Sequence, residues 1–457
     1  MLSNEETTVN SNTKALRRVA TASVIGAIIE WYDFFLYGVV ASLVLNKLYF
    51  PTSDPATATM LAYATFAVGF VARPLGGIIF GHFGDKVGRK SVLVITLMIM
   101  GLSTVAIGLV PTYAQIGYWA PALLLFLRVL QGIGLGGEWG GAILMAYECA
   151  PEQKRGFYAS LPQIGLSIGV LLSAGIIGAL SLALTDAQFM AWGWRVAFGI
   201  SFLFVLFGMW VRLNVMESPE FAQMKSSHGE AKVPLVDMFK RYSGNVVLGL
   251  GARHIDGVFF NIFSVFTISY LTSKIGMSRE DALTGVGIGA FVLTIFIPIF
   301  GYLSDRIGRQ KLYAVAAILT AISVYPAFWA FTHSNGDRTL VWAAIALPYG
   351  ILYAAVYGTV SVFLCDLFDA RVRYTGISFV YQVSSITAGG LTPMIATYLV
   401  TVNGGEPWYV CAYVVASGLL SSLCAFAIAR RMKRESRQIA AQRGRVNSPA
   451  LKKSVSM

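Results

Sequence analysis

Twelve long apolar runs, separated by short charged or Gly- and Pro-rich breaks, constrain the fold of this chain more than any other feature of its 457 residues. Each run has about the 20 mainly apolar residues that an α-helix needs to cross a bilayer. A transmembrane β-barrel would show short alternating segments instead. We therefore predict an all-α membrane protein with spans at 19–45, 58–82, 91–111, 120–148, 156–183, 192–213, 244–273, 281–303, 312–333, 339–365, 375–400 and 408–430.

The Lys and Arg residues predict how these spans are oriented. With the N-terminus inside, 27 of the 35 fall in cytosolic segments and only five outside. Because cationic loops stay on the cytosolic side during insertion, both termini are predicted to be cytosolic. The basic residues are scattered among loops and form no single patch, so the net charge of +12 reflects topology and not a nucleic-acid partner.

Two motifs recur with nearly the same offset. The phrase GxxxDxxGR starts at Gly81 and again at Gly301, 220 residues later, and an acid followed seven positions on by a base recurs after 218 residues. Repeats of this kind indicate two related halves, an architecture common among transporters. The predicted domains are an N-terminal cytosolic segment at 1–18, a six-helix bundle at 19–213, a cytosolic linker at 214–243, a second six-helix bundle at 244–430 and a disordered basic tail at 431–457.

The repeated charges lie at the membrane edge, so we predict that they form a gate that closes the cytosolic side. Their glycines would let helices approach closely, while the acids and bases would form contacts present in one state only. Ser304 stands where the first copy has Gly84, which predicts weaker closure in the second half. The alternative is that the charges only fix topology. The predicted gate residues are Gly81, Gly84, Asp85, Gly88, Arg89, Glu148, Arg155, Asp305, Gly308, Arg309, Asp366 and Arg373.

Three phrases inside the spans carry a resemblance to a known family. They are EWYDF from Glu30, ARPLGG from Ala72, and the glycine-rich run from Arg128 to Gly141, whose glycines are predicted to pack helices. On these phrases the chain resembles the major facilitator superfamily, specifically its metabolite:proton symporter family. The resemblance implies two pseudo-symmetric six-helix bundles, proton-coupled transport by alternating access and a bacterial inner membrane. It does not identify the substrate, because similar members handle different acids and zwitterions.

Ionisable side chains at bilayer depth are costly, so they persist where they have a partner, a water path or a function. Asp33 in span 1 is our predicted proton carrier. The resemblance implies that Arg128 in span 4 attracts its ionised carboxylate and so couples the proton to the substrate. Glu30 lies on the same helical face, three residues earlier, and is the alternative proton site. A permanent structural ion pair between Asp33 and Arg128 is the other alternative.

Span 7 contributes three further candidates. Arg253 is predicted to anchor a substrate carboxylate or phosphonate through its planar guanidinium; the alternative is a pair with Asp256, one turn away, that satisfies itself. His254 is predicted either as a second proton group or as a solvated residue at a helix end. Arg73, beside the kink expected at Pro74, either binds substrate or bridges helices. Uncharged groups that could orient a ligand are Gln131, Tyr353, Tyr357, Tyr381 and Gln382.

These residues together predict a proton-coupled symporter of a small polar organic anion or zwitterion. The alternative function is a proton-coupled antiporter that exports a small anionic drug or antibiotic, for example a phosphonate. The sequence has no ATP-binding loop, nucleophile elbow or metal-ligand spacing, so we predict no cofactor, no metal and no enzyme activity. The expected partners are the substrate, protons and the lipid bilayer, and we expect a monomer in a bacterial inner membrane.

Overall fold

The computed structural model of this protein describes residues 2–51, 55–214, 223 and 234–446, and the regular structure of these residues is helical. Twelve of their helical stretches are long and apolar enough to cross a membrane. We label these stretches α1 (Leu16–Leu48), α2 (Ala64–Lys86), α3 (Arg89–Leu109), α4 (Trp119–Cys149), α5 (Glu152–Ala183), α6 (Asp186–Leu213), α7 (Pro234–Ile275), α8 (Arg279–Ile307), α9 (Arg309–Thr332), α10 (Arg338–Cys365), α11 (Arg373–Val402) and α12 (Trp408–Arg434).

Each predicted span coincides with one of these helices, so the prediction of a twelve-helix membrane protein is confirmed. The ends differ most around the predicted linker and tail. Helix α7 begins at Pro234, a residue favoured in the first turn, and has a non-helical break at Tyr242. The helix of α12 continues to Val446 through strong helix formers, so residues 431–446 are helical instead of disordered. Residues 215–222 and 224–233 of the linker and 447–457 of the tail lie outside the described residues.

Helix packing repeats between the two halves. Helix α1 packs on α5, α2 on α4 and α3 on α6, and the same pairs recur six helices later as α7 on α11, α8 on α10 and α9 on α12. The halves meet where α2 packs on α11 and α5 packs on α8. The residues with the predicted site roles therefore lie on helices that face the boundary between two similar bundles.

Glycines bring α2 and α4 into close contact. A Cβ at Gly132 would lie within 2.8 Å of the Ala72 side chain, and one at Gly136 would overlap the Arg73 carbonyl. The predicted packing role of the glycine-rich run is thus confirmed for these positions. The close approach also fixes the depth of Arg73 and Arg128, which flank the contact on the two helices.

The repeated charged phrase forms the tight turns between α2 and α3 and between α8 and α9. Gly88 and Gly308 end these turns with φ of 125° and 105°, in the region that favours glycine. Because consecutive spans run in opposite directions, both turns lie on one face of the protein, which we call the hairpin face. The start of α1, the end of α6 and the start of α7 lie on the same face.

Candidate functional site

A cavity with an empty volume of about 420 Å³ lies between the two bundles. Aromatic side chains form most of its wall, and three charged side chains enter it. Residues from α1, α2 and α5 and from α7, α10 and α11 line it, and those used below are Trp31, Phe70, Arg73, Arg253, Asp256, Tyr353, Tyr357 and Tyr381.

Arg73 brings an unpaired positive charge to this cavity. Its side chain is 2% exposed, and its Nε donates to Gln382 Oε1 at 2.9 Å. The guanidinium lies 5.5 Å from the ring centroids of Trp31 and Phe70. No carboxylate oxygen of the described residues lies within 4.0 Å of its nitrogens. The buried Glu30 is an electrostatic neighbour of Arg73 but forms no direct ion pair with it. Since a buried cation without a directly paired anion is costly, this position favours an anionic ligand.

Arg253 is largely neutralised by its own helix. Its Nε lies 3.3 Å from Asp256 Oδ2, its Nη1 donates to Ser384 Oγ at 3.1 Å, and its guanidinium stands 3.8 Å from the Tyr381 ring centroid. Asp256 Oδ1 accepts a hydrogen bond of 2.7 Å from Tyr353 Oη. The pair faces the cavity, so its atoms can contact a ligand while the pair stays intact.

Three of the predicted ligand-contacting residues do not line the cavity. His254 is half-buried and does not line the cavity. Gln131 is fully buried in the first bundle, where it accepts from Arg128 Nη1 at 2.7 Å. Gln382 acts on the cavity only through Arg73, because its Oε1 holds that guanidinium while its Nε2 donates to the Gly136 carbonyl at 3.0 Å.

A layer of contacts between the bundles separates the cavity from the hairpin face. Trp139 stacks on Tyr381 with the ring centroids 3.5 Å apart, and its Nε1 donates to Gln163 Oε1 at 2.8 Å. Gln163 Nε2 donates across the boundary to the Tyr357 carbonyl at 3.1 Å. The sequence analysis missed Trp139 and Gln163 as site residues; polar groups inside apolar runs were the signal that could have found them.

Asp33 and Arg128 are not in direct contact in this structure. Asp33 Oδ1 accepts from Ser201 Oγ at 2.6 Å, and Oδ2 has no hydrogen-bond partner among the described residues. The Thr104 hydroxyl lies beside this carboxylate. Gln131 Nε2 donates to Thr104 Oγ1 at 2.6 Å, and Gln131 Oε1 accepts from Arg128 Nη1 at 2.7 Å, so a series of polar groups lies between Asp33 and Arg128.

Arg128 is enclosed by rings. Its guanidinium carbon lies 4.1 Å from the ring centroid of Phe34, 4.5 Å from that of Tyr37 and 4.7 Å from that of Phe66. A Cβ at Gly69 would lie 2.7 Å from its Nε, so α2 leaves room for the side chain. Cation–π contacts stabilise a buried guanidinium that lacks an anion. A permanent ion pair with Asp33 is therefore absent among the described residues.

Glu30 faces a group of charges that includes Arg73 of the cavity. It is 1% exposed, and its electrostatic neighbours are Glu138, Arg73 and Arg212. Arg212 forms an ion pair with Glu138. Arg212 lies in the last turn of α6 and is 4% exposed.

The first copy of the gate phrase holds α2 against α11. Asp85 accepts from Tyr374 N at 3.2 Å, from Thr375 N at 2.9 Å and from Thr375 Oγ1 at 2.8 Å. A carboxylate at a helix N-terminus is favoured by the free backbone N–H groups and the helix dipole. Arg89 lies 3.5 Å from Asp85 and 3.4 Å from Glu148.

Glu148 connects the bundles as well. Arg373 Nη1 of the second bundle donates to Glu148 Oε1 at 3.2 Å, and Arg89 Nη2 donates to the Ala370 carbonyl at 3.1 Å. Gly81 packs on Thr375, because an added Cβ would lie 2.9 Å from the Thr375 Cα. These groups close the hairpin face on one side of the protein.

The second copy repeats the arrangement with the bundles exchanged. Asp305 accepts from Gly156 N at 2.8 Å and Phe157 N at 3.0 Å, at the start of the short helical segment Arg155–Ser160 of α5. Arg309 lies 3.2 Å from Asp305 and 3.0 Å from Asp366, and its Nη2 also donates to the Glu152 carbonyl of the first bundle.

The Tyr147 ring joins the second copy to the first bundle. Tyr147 Oη donates to Asp366 Oδ1 at 2.8 Å, and Arg155 stands 4.6 Å from the Tyr147 ring centroid. Arg155 is thus held on the first bundle, beside the group that bonds Asp366.

In each copy one of two facing positions is a glycine, but the glycine is on the hairpin in the first copy and on the opposite helix in the second. In the first copy, Gly84 leaves room for the Tyr374 ring; in the second, Ser304 stands at the equivalent position and meets Gly156. Gly156 is 218 residues before Tyr374, the same offset as the acid–base repeat. We expected weaker closure because Ser304 is larger than a glycine. That expectation did not take into account that Gly156 on the opposite helix leaves room for Ser304.

Comparisons with known proteins agree with this architecture. Residues 19–241 match the family described as sugar (and other) transporter, and residues 250–456 match the major facilitator superfamily. The shikimate transporter of Escherichia coli K12 is 40% identical over 412 residues, which cover 90% of this chain and 93% of that protein. The inner membrane metabolite transport protein YhjE of the same strain is 40% identical over 406 residues, covering 88% and 90%.

A solved structure shows the same fold. The proton:xylose symporter XylE bound to 6-bromo-6-deoxy-D-glucose superposes with a TM-score of 0.75 and 17% sequence identity, covering 92% of this chain and 96% of that one.

Proposed function

Because the chain belongs to the major facilitator superfamily, a superfamily of transporters and not of enzymes, we propose that it is a proton-coupled symporter of a small organic monocarboxylate in a bacterial inner membrane. The multi-pass fold and the position of the cavity between the two bundles support transport by alternating access to the cavity. The relatives' names, a shikimate transporter and an inner membrane metabolite transport protein, support the substrate class and the location.

The unpaired Arg73 in the cavity is the observation that carries the substrate class. Among the residues that line the cavity, Arg73 and Arg253 bring two positive charges and Asp256 one negative charge, so the lining carries about one positive unit; Glu30, an electrostatic neighbour of Arg73, lies outside the lining. One carboxylate balances this charge, and the planar guanidinium of Arg73 can bind it with two parallel hydrogen bonds. A dicarboxylate would bring a second negative charge close to Asp256.

The remaining wall favours a ring with hydroxyl groups. Aromatic faces such as Trp31 and Phe70 can pack on a carbocycle, while the Tyr357 hydroxyl and Asp256 can exchange hydrogen bonds with its hydroxyls. Tyr357 Oη has no hydrogen-bond partner among the described residues. A buried hydroxyl without a partner is costly, so a ligand that bonds it gains affinity.

Proton coupling is assigned to Asp33, with Arg128 as its partner. The polar side chains of Thr104 and Gln131 support this assignment, because they lie between Asp33 and Arg128 while those two residues are apart. A local movement of side chains within the first bundle that brings Arg128 to the carboxylate would release the proton; separation would allow uptake. Alternating contact of this kind ties proton movement to the conformational cycle.

Uptake into proteoliposomes tests the proposal. The probes are shikimate as a ring hydroxy monocarboxylate, succinate as a dicarboxylate and glycine betaine as a zwitterion, each with the outside acidic, with no gradient and with the inside acidic. We expect shikimate alone to accumulate, and only when the outside is acidic. Arg73→Gln should abolish this uptake, whereas Arg338→Gln, which removes an arginine that is 66% exposed on the other face, should not.

The direction of the gradient effect decides the mechanism. Accumulation driven by an acidic interior would show antiport and overturn the symport proposal. Equal flux in all three conditions would show uncoupled transport. Accumulation of succinate or betaine in place of shikimate would overturn the charge argument built on Arg73.

A further inference from the structure

A second cluster of buried charges lies inside the first bundle, apart from the residues that line the central cavity. Glu138 of α4 is fully buried; one carboxylate oxygen accepts a hydrogen bond from Arg212, and the other has no partner among the described residues. One oxygen of the buried Glu30 likewise has no partner. Buried polar atoms without partners are uncommon and mark sites where a proton or a water completes the hydrogen bonding.

Arg212 is held over this cluster by the surrounding helices. Its guanidinium donates to the Leu93 carbonyl of α3 and to Glu138 of α4. A side chain at Gly26 of α1 would overlap the guanidinium, so the glycine provides the space that it occupies. Arg212 is thus a positioning residue, fixed where it can pair with a carboxylate.

The two glutamates continue the polar chain that begins at Asp33. Asp33 lies one helical turn from Glu30 and has Glu138 as an electrostatic neighbour. Glu138 in turn is an electrostatic neighbour of Glu30. The charged or titratable groups that face the glutamates from surrounding helices are Asp33 on α1, Arg73 on α2, Arg212 on α6 and Tyr374 on α11.

A separate cavity leads from this cluster toward the hairpin face. It has an empty volume of about 330 Å³ and lies among α1, α3, α4 and α6. Arg212 forms part of its wall, and Lys90, which donates to the Leu213 carbonyl at the end of α6, lies at the hairpin face. Ser23 and Ala142 also line it, and none of its lining residues comes from the second bundle. Rocking of the bundles therefore leaves this cavity in place.

We propose that the proton bound at Asp33 leaves through Glu30 and Glu138 and then through this cavity, by a route inside the first bundle that is separate from the substrate route. In the final step a carboxylic acid of the pair gives its proton to a water in the cavity, which leaves as hydronium. The carboxylate that remains pairs with Arg212. This inference rests on the proposed symport, because it concerns the exit of the same proton.

Three variants test the route. Glu138→Gln keeps the shape of the side chain but cannot release a proton. Ala142→Leu fills the cavity without changing any charge. Gly175→Leu is the matched control, since it adds the same side chain on α5 where nothing lies within 4 Å of an added Cβ. For each variant, two rates are measured in proteoliposomes with labelled shikimate. The first is the rate of accumulation driven by an acidic exterior, and the second is the rate of exchange across the membrane at equal pH on both sides.

The readout is the ratio of accumulation to exchange, which corrects for variants that fold or insert poorly. We expect this ratio to fall at least tenfold for Glu138→Gln and for Ala142→Leu, and to stay at the wild-type value for Gly175→Leu. An unchanged ratio in either of the first two variants would overturn the route. If wild-type protein itself shows no effect of the pH gradient, the proposed symport fails instead, so the two failures are distinguishable.

Arg212 provides a second, independent measurement. Arg212→Gln removes the cation that pairs with the carboxylate after proton loss, and we expect the pH at which accumulation is half-maximal to shift; Arg212→Lys should restore most of the wild-type profile. A purely structural role would change the amount of folded protein and leave this pH profile where it is. An unshifted profile in folded Arg212→Gln would contradict the positioning role.

Discussion

Asp85→Asn should open the hairpin face. Asp85 accepts three hydrogen bonds from the start of α11, at 3.2, 2.9 and 2.8 Å. Hydrogen bonds to a charged group contribute about 1.5–3 kcal/mol, against about 1 kcal/mol for neutral pairs. The asparagine keeps one carbonyl oxygen as an acceptor and loses the charge. We therefore expect the closed state to lose about 2 kcal/mol, less than the sum of three separate changes because the bonds share one side chain.

A loss of about 2 kcal/mol changes the ratio of closed to open molecules about 30-fold. Pulsed electron spin resonance between labels at Val87 and Ile307 measures this ratio. These side chains are 55% and 51% exposed at the hairpin turns of opposite bundles, and the labels require a background without the four native cysteines. We expect a longer distance to gain population in Asp85→Asn.

The matched control for this measurement is Asp281→Asn. Asp281 lies in the first turn of α8, on the face opposite the hairpins, and its contacts with Ser278, Arg338 and Trp342 all lie within the second bundle. Its neutralisation should leave the distance distribution unchanged. If Asp85→Asn gave the same distribution as wild type, or if both variants shifted equally, the gate assignment would be refuted.

Three further predictions concern the gate, the proton and the ligand. Gly84→Val should shift the same distance distribution, because the added side chain overlaps the Tyr374 ring, and Tyr374→Ala in the same chain should partly reverse the shift. Asp33→Asn should lower gradient-driven accumulation of shikimate at least tenfold relative to its exchange rate; an equal ratio would exclude Asp33 as the carrier. Shikimate at about 100 times its Kd should stabilise the wild-type protein by about 2.7 kcal/mol in thermal unfolding, and Arg73→Gln should lose this shift.

The twelve spans and the two-half organisation could be predicted because both depend on properties that sequence order displays directly. A span needs only length and apolarity, and a duplicated phrase needs only an offset. The equivalence of Asp85 and Asp305 was accessible for the same reason, because the repeated phrase puts them in equivalent turns; their role in a gate stays a prediction, and their partners at helix starts in the opposite bundle were seen only in the structure.

The contacts between buried side chains could not be predicted from the sequence, because they depend on how each helix is rotated about its axis. Arg128 was expected against Asp33, but its guanidinium lies among the Phe34, Tyr37 and Phe66 rings and contacts Gln131. Arg212 was not predicted as a buried ion-pair partner, because it lies at the end of an apolar run, where a charge is usually solvated.

The buried partner of Arg212 also lies far away in the chain. Glu138 is 74 residues earlier, so no local pattern connects the two. The Trp139–Tyr381 stack likewise joins residues that are far apart in the sequence and lie in different bundles.

The unbalanced guanidinium of Arg73 has a consequence for energy efficiency. A carrier that changes conformation without cargo wastes the ion gradient through slippage. An empty cavity that retains an uncompensated cation is costly to seal from water, whereas a cavity that holds a carboxylate is not. The vacant protein would then cross between its two states more slowly than the loaded one, and this difference in rate would keep proton flow tied to cargo.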